Sequence, residues 1–223
     1  KEGIPAPLVP LVCGITGYGH VSQGAQEIFD LLPHEVIDPH KLPEFFDRKK
    51  FSDRKIYKVI FRESDLVIPR DLKAEFKLQD YYQHPEQYTS IFKNYVPYFT
   101  MIVNGIYWEE KYPRLITKNF LKNWFHKNPK PRLRVIGDIS CDVNGSMECT
   151  IKATNSEHPL YVYHPLSEAV TDGHAGEGIV VLAVDKLPTE LPRESSDYFG
   201  KELLPFVPQL ARTNFQVPFE QLS

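Results

Sequence analysis

Leu8-Val9-Pro10-Leu11-Val12-Cys13-Gly14-Ile15-Thr16 is a nearly unbroken apolar run, and it leads directly into Gly17-Tyr18-Gly19-His20-Val21-Ser22-Gln23-Gly24. Apolar residues without alternation suit a strand buried on both faces. Behind the glycines, Ala25, Ile28, Phe29 and Leu32 fall at helical spacing and Pro33 stops the helix, so Gly17 and Gly19 occupy a strand-to-helix turn. His34-Glu35-Val36-Ile37-Asp38 reads as the next strand, which completes a β-α-β unit within about thirty residues.

The same pattern continues downstream. Phe99–Val103, ending at Asn104-Gly105, and Leu133–Gly137, ending at Asp138-Ile139-Ser140-Cys141-Asp142, are buried strands by composition. Between them Thr117 N-caps a helix carrying Phe120, Leu121, Trp124 and Phe125, closed by Asn128-Pro129-Lys130-Pro131. Tyr161–Tyr163 and Gly178–Val184 read as further strands. Glu194–Leu210 reads as a last helix that Pro205 and Pro208 kink or shorten. From Pro39 to Tyr98 the pattern is less regular. A short helix is expected at Leu42–Phe46, with short strands at Val59–Phe61 and Leu66–Ile68 in an extra hairpin. A helix is expected near Pro85–Asn94, because Tyr88, Ile91, Phe92 and Tyr95 share one helical face. Strands alternating with helices predict an α/β fold: a Rossmann-like, doubly wound, mainly parallel sheet with helices on both faces.

At 223 residues, 42% hydrophobic and 25% charged, the chain suits one well-packed domain rather than a disordered segment. Lys and Arg number 26 against 29 Asp and Glu, a net charge of −3, so no bulk field draws it to nucleic acid or anionic lipid. No apolar run reaches the roughly 18 residues that a membrane span needs. Cys13, Cys141 and Cys149 have neither an even count nor CxxC spacing, which argues against a disulfide framework or a structural zinc and for a reducing, cytoplasmic setting. His158, His164 and His174 match no ligand spacing and read as surface histidines, so no metal is expected. The absence of a starting Met and the linker-like Gly3-Ile4-Pro5-Ala6-Pro7 suggest an excised domain, expected to run over residues 1–211 with 212–223 as a tail.

A diphosphate bound at a helix N-terminus needs close backbone approach, because unpaired N–H groups and the helix dipole hold the anion and a Cβ obstructs it. Gly17 and Gly19 meet that need. The third glycine of the usual G-x-G-x-x-G pattern is replaced by Ser22, which is small enough to substitute. Asp38 follows Gly17 by about twenty residues, where a dinucleotide domain places an acid on the adenosine ribose; the competing reading is a turn former before Pro39. That acid favours NAD, whereas His40, Lys41 and the Arg48-Lys49-Lys50 cluster suit a 2′-phosphate, so charge alone leaves NAD(H) and NADP(H) open.

Taken together, Gly17-x-Gly19-x-Val21-Ser22-x-Gly24-Ala25-Gln26, Asp38-Pro39-His40-x-Leu42, Asn104-Gly105-Ile106-Tyr107-Trp108, Pro113-Arg114-Leu115, Asp138–Asp142 and Asp185-Lys186-Leu187-Pro188-Thr189-Glu190-Leu191-Pro192 form an ordered series. The series resembles the lysine–2-oxoglutarate reductase and saccharopine dehydrogenase family, within the alanine dehydrogenase and transhydrogenase superfamily, from about Leu8 to Leu210. The resemblance implies reductive condensation of lysine with 2-oxoglutarate to saccharopine, or its reverse, with NADP(H) or NAD(H). It also implies a separate substrate domain that supplies a general-acid and general-base Lys and His, so that this chain alone is inactive, with 212–223 leading back to that domain. A mitochondrial location is implied if the parent is an animal-type bifunctional enzyme, and a homo-oligomer stays open.

In an open parallel sheet, ligands lie beyond the carboxyl ends of the strands. The expected cofactor residues are therefore Gly17, Tyr18, Gly19, His20, Val21, Ser22, Asp38, Asn104, Gly105, Asp138, Ile139, Asp185, Leu187 and Pro188. Asp142, Asp138 and Arg114 are the catalytic candidates: the acids to place the nicotinamide ribose or a substrate ammonium, the guanidinium to pair with a substrate carboxylate. Each has a plainer reading. Asp138 caps a helix beginning near Gly145 and Ser146, Arg114 is solvated, Leu187-Pro188 is an ordinary turn, and Tyr107 and Trp108, whose functional reading is to wall the cleft, are core. Cys141, between acids, has a raised pKa that opposes nucleophilic use. Three other functions compete: a non-catalytic dinucleotide-sensing module, an alanine-dehydrogenase-like amino-acid dehydrogenase, and an S-adenosylmethionine-dependent enzyme.

Overall fold

A computed structural model describes residues 3–218. The chain falls into two compact units, Lys1–Asp185 and Lys186–Ser223. Of the tail expected over 212–223, residues 219–223 lie outside the described residues. The strands are β1 Val12–Thr16, β2 His34–Val36, β3 Ile56–Phe61, β4 Val67–Pro69, β5 Tyr88–Ser90, β6 Met101–Asn104, β7 Val135–Asp138, β8 Leu160–His164, β9 Ala169–Asp172 and β10 Ile179–Leu182. The helices are α1 His20–Asp30, α2 Leu42–Asp47, α3 Glu63–Leu66, α4 Leu78–Gln83 and α5 Lys118–Lys127 in the first unit, and α6 Pro192–Leu203 and α7 Val207–Arg212 in the second. No helix among the described residues is long and apolar enough to cross a membrane.

Eight strands form one sheet in the order β2-β3-β1-β6-β7-β10-β8-β9. It is parallel from β2 to β10, and β8 and β9 close one side antiparallel. The mainly parallel, Rossmann-like α/β architecture expected from the sequence is present. All five residues of β1 are buried and their side chains alternate between two cores. Val12 joins Ile102, Ile136, α2 and α5 on one face. Cys13 and Ile15 join Val103 and, from α1, Ala25 and Phe29 on the other. Helices thus cover both faces, which is what a parallel sheet requires. The Thr117 hydroxyl accepts from the Phe120 N–H at 3.1 Å and so starts α5 as its sequence predicts.

Three local expectations change. The Pro85–Asn94 helix is instead a 3-10 turn, strand β5 and a second 3-10 turn. Tyr88, Thr89 and Ser90 favour extended backbone, and the buried Tyr88 ring donates its hydroxyl to Asp80 at 2.7 Å. Val59–Phe61 does not make a hairpin with Leu66–Ile68. Val59 and Phe61 are wholly buried, so β3 enters the main sheet, while β4 pairs with β5 in a separate ribbon. β9, absent from the sequence reading, forms an antiparallel pair with β8. In the second unit the helical run breaks into α6, a 3-10 turn at Leu204–Phe206 and α7, with Pro205 and Pro208 at the breaks.

Candidate functional site

The chain leaves β1 at Gly17 with φ +85°, a conformation that side chains with a Cβ rarely adopt. Its N–H donates to the Phe61 carbonyl at the end of β3, at 2.9 Å. A Cβ on Gly17 would lie 3.2 Å from the Gly105 carbonyl oxygen and 3.3 Å from Ile106 Cγ2, so the turn is wedged between the ends of β3 and β6. Gly19 is the N-cap of α1, with extended backbone and no side-chain capping bond. The first-turn amides of a helix have no intrahelical acceptor, and here no side chain takes the capping place.

Ser22 stands where a glycine is usual, and it is fully buried. Its hydroxyl donates to the Gly17 carbonyl at 2.6 Å and accepts from Gln26 Nε2 at 3.1 Å, tying the helix back to its own turn. The requirement for a small residue has moved to the facing loop. A Cβ on Gly105 would lie 3.2 Å from Val21 Cγ1 and 3.5 Å from the Ser22 nitrogen. Gly105 thus provides the close approach that Ser22 does not.

Above the turn opens a cavity of about 510 Å³, within the size range of cofactor sites. Gly17, Tyr18 and Gly19 form one side. Glu63 and Leu66 of α3 with Tyr81 and Tyr82 of α4 form a second. Gly105–Trp108, Tyr112, Pro113 and Leu115 form the third. Tyr107 and Trp108 therefore wall the cleft rather than fill the core, Tyr107 being 78% exposed. Tyr82 donates its hydroxyl to Glu63 Oε1 at 3.0 Å, and the Arg62 guanidinium lies over the Tyr18 ring at 5.4 Å.

Beneath the strand ends runs a buried polar chain. Thr16 Oγ1 donates to Asn104 Oδ1 at 2.7 Å, and Asn104 Nδ2 donates to Asp138 Oδ1 at 2.8 Å and Ser146 Oγ at 2.9 Å. Thr150 donates to Asp138 Oδ2 and the Cys141 N–H to Asp138 Oδ1. Burial pushes the Asp138 carboxyl above the ordinary range, opposed by these hydrogen bonds. The chain stitches β1, β6 and β7 together at the end where the cavity opens. Asp142 is half-buried; its backbone carbonyl accepts from the Gly145 N–H at 2.8 Å, its carboxylate has no hydrogen bond or ion pair among the described residues, and burial and the Asp138 charge raise its pKa. Arg114 pairs with Glu148 at 3.1 Å, donates to the Asn144 carbonyl at 3.2 Å and lies over the Trp108 ring at 5.2 Å. Cys141 donates its thiol to the Ala183 carbonyl, and burial pushes its pKa to about 11.

An alpha-aminoadipic semialdehyde synthase of Arabidopsis thaliana is 39% identical over 95% of this chain and 21% of its own length. The mitochondrial alpha-aminoadipic semialdehyde synthase of Bos taurus is 35% identical over 97% of the chain and 24% of its own. The chain is a homologue of one segment of these synthases. The homologue also matches a saccharopine dehydrogenase [NAD(+), L-lysine-forming] of Emericella nidulans, 32% identical over 53% of this chain and 30% of that one. A solved L-alanine dehydrogenase overlaps 91% of this chain and 44% of its own at 16% identity and a TM-score of 0.45. No protein-family model matches the chain. The homologue spans about a fifth to a quarter of the two synthases.

In this synthase homologue the residues singled out from the sequence fall into four groups. Gly17, Tyr18, Gly19 and Gly105 line the cavity, with His20, Val21 and Ser22 opening the helix beside it. Asn104 and Asp138 lie beneath it, buried in the polar chain, and no helix begins at Gly145 for Asp138 to cap. Ile139 and Asp142 lie on the segment after β7 and Arg114 on the segment after β6, and none of the three lines the cavity. Asp38 lies beyond β2, at the sheet's edge, where its Oδ1 accepts the His40 N–H at 2.8 Å and caps the 3-10 turn Pro39–Lys41. Asp185 ends the first unit, and Leu187 and Pro188 lie in a 3-10 turn of the second. Sequence reasoning missed Glu63, Tyr81, Tyr82 and Tyr112. The adjacent tyrosines at 81 and 82 were the available signal, since paired aromatics on so short a helix leave one ring outside the core.

Proposed function

We propose that this chain holds a nicotinamide dinucleotide, NADP(H) or NAD(H), for an oxidoreductase that condenses lysine with 2-oxoglutarate to saccharopine or reverses that reaction. The observation that carries the reading is the uncapped N-terminus of α1 opening, past two glycines, into a cavity of about 510 Å³ at the carboxyl ends of parallel strands. The donor set suits the group: backbone amides for a diphosphate, aromatic walls for the planar rings, and no Cβ between them. Similarity to the semialdehyde synthases and to a saccharopine dehydrogenase [NAD(+), L-lysine-forming] supports the substrate class.

When bound, the cofactor supplies or accepts hydride at its nicotinamide ring. The chain's own residues bind and orient. The amides of α1's first turn take the diphosphate, and the Thr16–Asn104–Asp138 chain fixes the relative height of β1, β6 and β7 so that the turn and the Gly105 loop face one cavity. Asp138, with both oxygens engaged, acts as a positioning residue. Asp142 has a free carboxylate and suits a substrate ammonium or the nicotinamide ribose. Arg114, held over Trp108, suits a substrate carboxylate once Glu148 releases it.

The acid and base for the condensation are assigned to a substrate domain outside this chain. A reducing compartment is proposed, cytosol or mitochondrion; three free thiols support it, and the bovine relative is named as mitochondrial. The test is an assay of the full-length protein with lysine, 2-oxoglutarate and NADPH or NADH. Lysine-dependent oxidation of either cofactor is expected. Its absence with both cofactors overturns the proposal.

A further inference from the structure

The strand order moves the adenosine end of the site away from where the sequence puts it. In a dinucleotide crevice, the residue that reads the adenosine ribose sits at the carboxyl end of the strand next to the glycine strand. Sequence order makes that strand β2 and the residue Asp38. Here β3 takes the place: Val12 to Thr16 pair in register with Tyr57 to Phe61, and β2 pairs with β3 alone. With neighbouring strands about 4.8 Å apart, β2 lies roughly 10 Å from β1. Asp38 is displaced by a whole strand and is engaged in capping its own turn.

The residues that follow β3 are Arg62 and Glu63. The Gly17 N–H bond to the Phe61 carbonyl, at 2.9 Å, clamps this strand end to the glycine turn. Arg62 is exposed, makes no ion pair among the described residues, and stacks on Tyr18, which belongs to the turn itself. Its backbone N–H donates to Asp65 Oδ2 at 2.9 Å, which fixes the residue at the start of α3. The two carboxylates nearby are engaged: Glu63 accepts from Tyr82, and Asp65 pairs with His40 at 3.3 Å. An unpaired guanidinium held against the diphosphate turn presents a planar fork of donors suited to a phosphate monoester.

We infer that Arg62, not Asp38, reads the adenosine ribose and that it does so by binding a 2′-phosphate, so that the site prefers NADP(H). The inference rests on the dinucleotide reading above and names the residue that sets cofactor choice. The test is calorimetric titration of the full-length protein with 2′,5′-ADP and 5′-AMP, which report the adenosine end alone, and with NADH. The wild type is expected to bind 2′,5′-ADP about 10- to 100-fold more tightly than 5′-AMP, the range of a single charge-assisted hydrogen bond. Arg62→Ala is expected to bring that ratio close to one without weakening 5′-AMP, and Asp38→Ala to leave it unchanged. Thermal melts of Arg62→Ala matching wild type would exclude misfolding. A ratio that survives Arg62→Ala, or that collapses in Asp38→Ala, overturns the inference. If the wild type binds 5′-AMP and NADH but shows no preference for 2′,5′-ADP, the inference falls and the dinucleotide reading stands. If it binds none of the three, and NADPH titrated alongside does not bind either, both fall.

Discussion

Gly19→Ala separates folding from binding at this site. Gly19 has φ −74° and ψ −174°, which alanine adopts freely, and an added Cβ meets nothing within 4 Å. The folded protein should therefore tolerate the methyl. Loss of unfolded-chain freedom stabilises such a variant by about 0.4–1 kcal/mol, or up to about 4 °C in Tm for a chain of this size. The empty space around that Cβ is, in this account, where the diphosphate lies. A methyl there holds the anion off the first-turn amides and weakens two charge-assisted hydrogen bonds, each worth about 1.5–3 kcal/mol. A net loss of about 2 kcal/mol corresponds to about 30-fold in Kd. Gly24→Ala is the control: it also has open surroundings, but it lies within α1, away from the cavity. The assay is fluorescence titration of reduced cofactor against each variant, with thermal melts alongside. If Gly19→Ala melts at or above the wild-type temperature and binds cofactor as tightly as Gly24→Ala, the diphosphate does not lie at this turn.

Gly17→Ala should behave differently, because the added Cβ must accept φ +85° and crowd the Gly105 carbonyl. The backbone strain alone costs about 1–2 kcal/mol, so melting should fall by several degrees along with binding, and a variant that melts like wild type contradicts the wedge at this turn. Asp138 has a raised folded-state pKa, so the folded protein keeps a proton that the unfolded chain releases. Its contribution to stability should decline as pH rises from about 4, the unfolded carboxylate range, towards the raised value. Urea melts of Asp138→Asn against wild type across that interval should lack this decline; parallel curves would show that burial does not hold the proton. Burial pushes Cys13 and Cys149 to about 12 and Cys141 to about 11. Iodoacetamide at neutral pH should modify the native protein far more slowly than the urea-unfolded chain, with Cys141 first. Rapid native labelling of Cys149 would argue against the buried β7–β8 connection.

Much of the architecture is legible locally. Residues 8–38 carry their own punctuation: apolar run, glycines, helical spacing, proline, second strand. The strands ending at Asn104 and Asp138, and the Thr117 cap, are equally self-contained. What local sequence does not encode is which strand lies beside which. β3 displaces β2 from the flank of β1 because Val59 and Phe61 need burial on the aromatic face, where Phe61 meets Phe92, Tyr95 and Phe99. β2 has no comparable demand, since Glu35 and Val36 are exposed. Asp38 thus satisfies the sequence spacing but lies on the outer strand. Tyr88, Ile91, Phe92 and Tyr95 share a face at helical spacing, yet Pro85 and the Tyr88-Thr89-Ser90 run turn the segment into a strand between two turns. Asn104 and Asp138 were identifiable as strand-end polar residues. That they bond to each other under the cavity is a product of β6 and β7 pairing in register.

The first-turn amides of α1 are proposed to bind the diphosphate of a nicotinamide dinucleotide. Thermal stabilisation of the protein by NADPH, NADH and S-adenosylmethionine, each titrated to about 100 times its Kd or to its solubility limit, tests this most directly. A reduced dinucleotide should raise stability by about 2.7 kcal/mol at that saturation, and S-adenosylmethionine should leave the melt unmoved. A melt indifferent to both dinucleotides, or one raised by S-adenosylmethionine instead, would contradict the account.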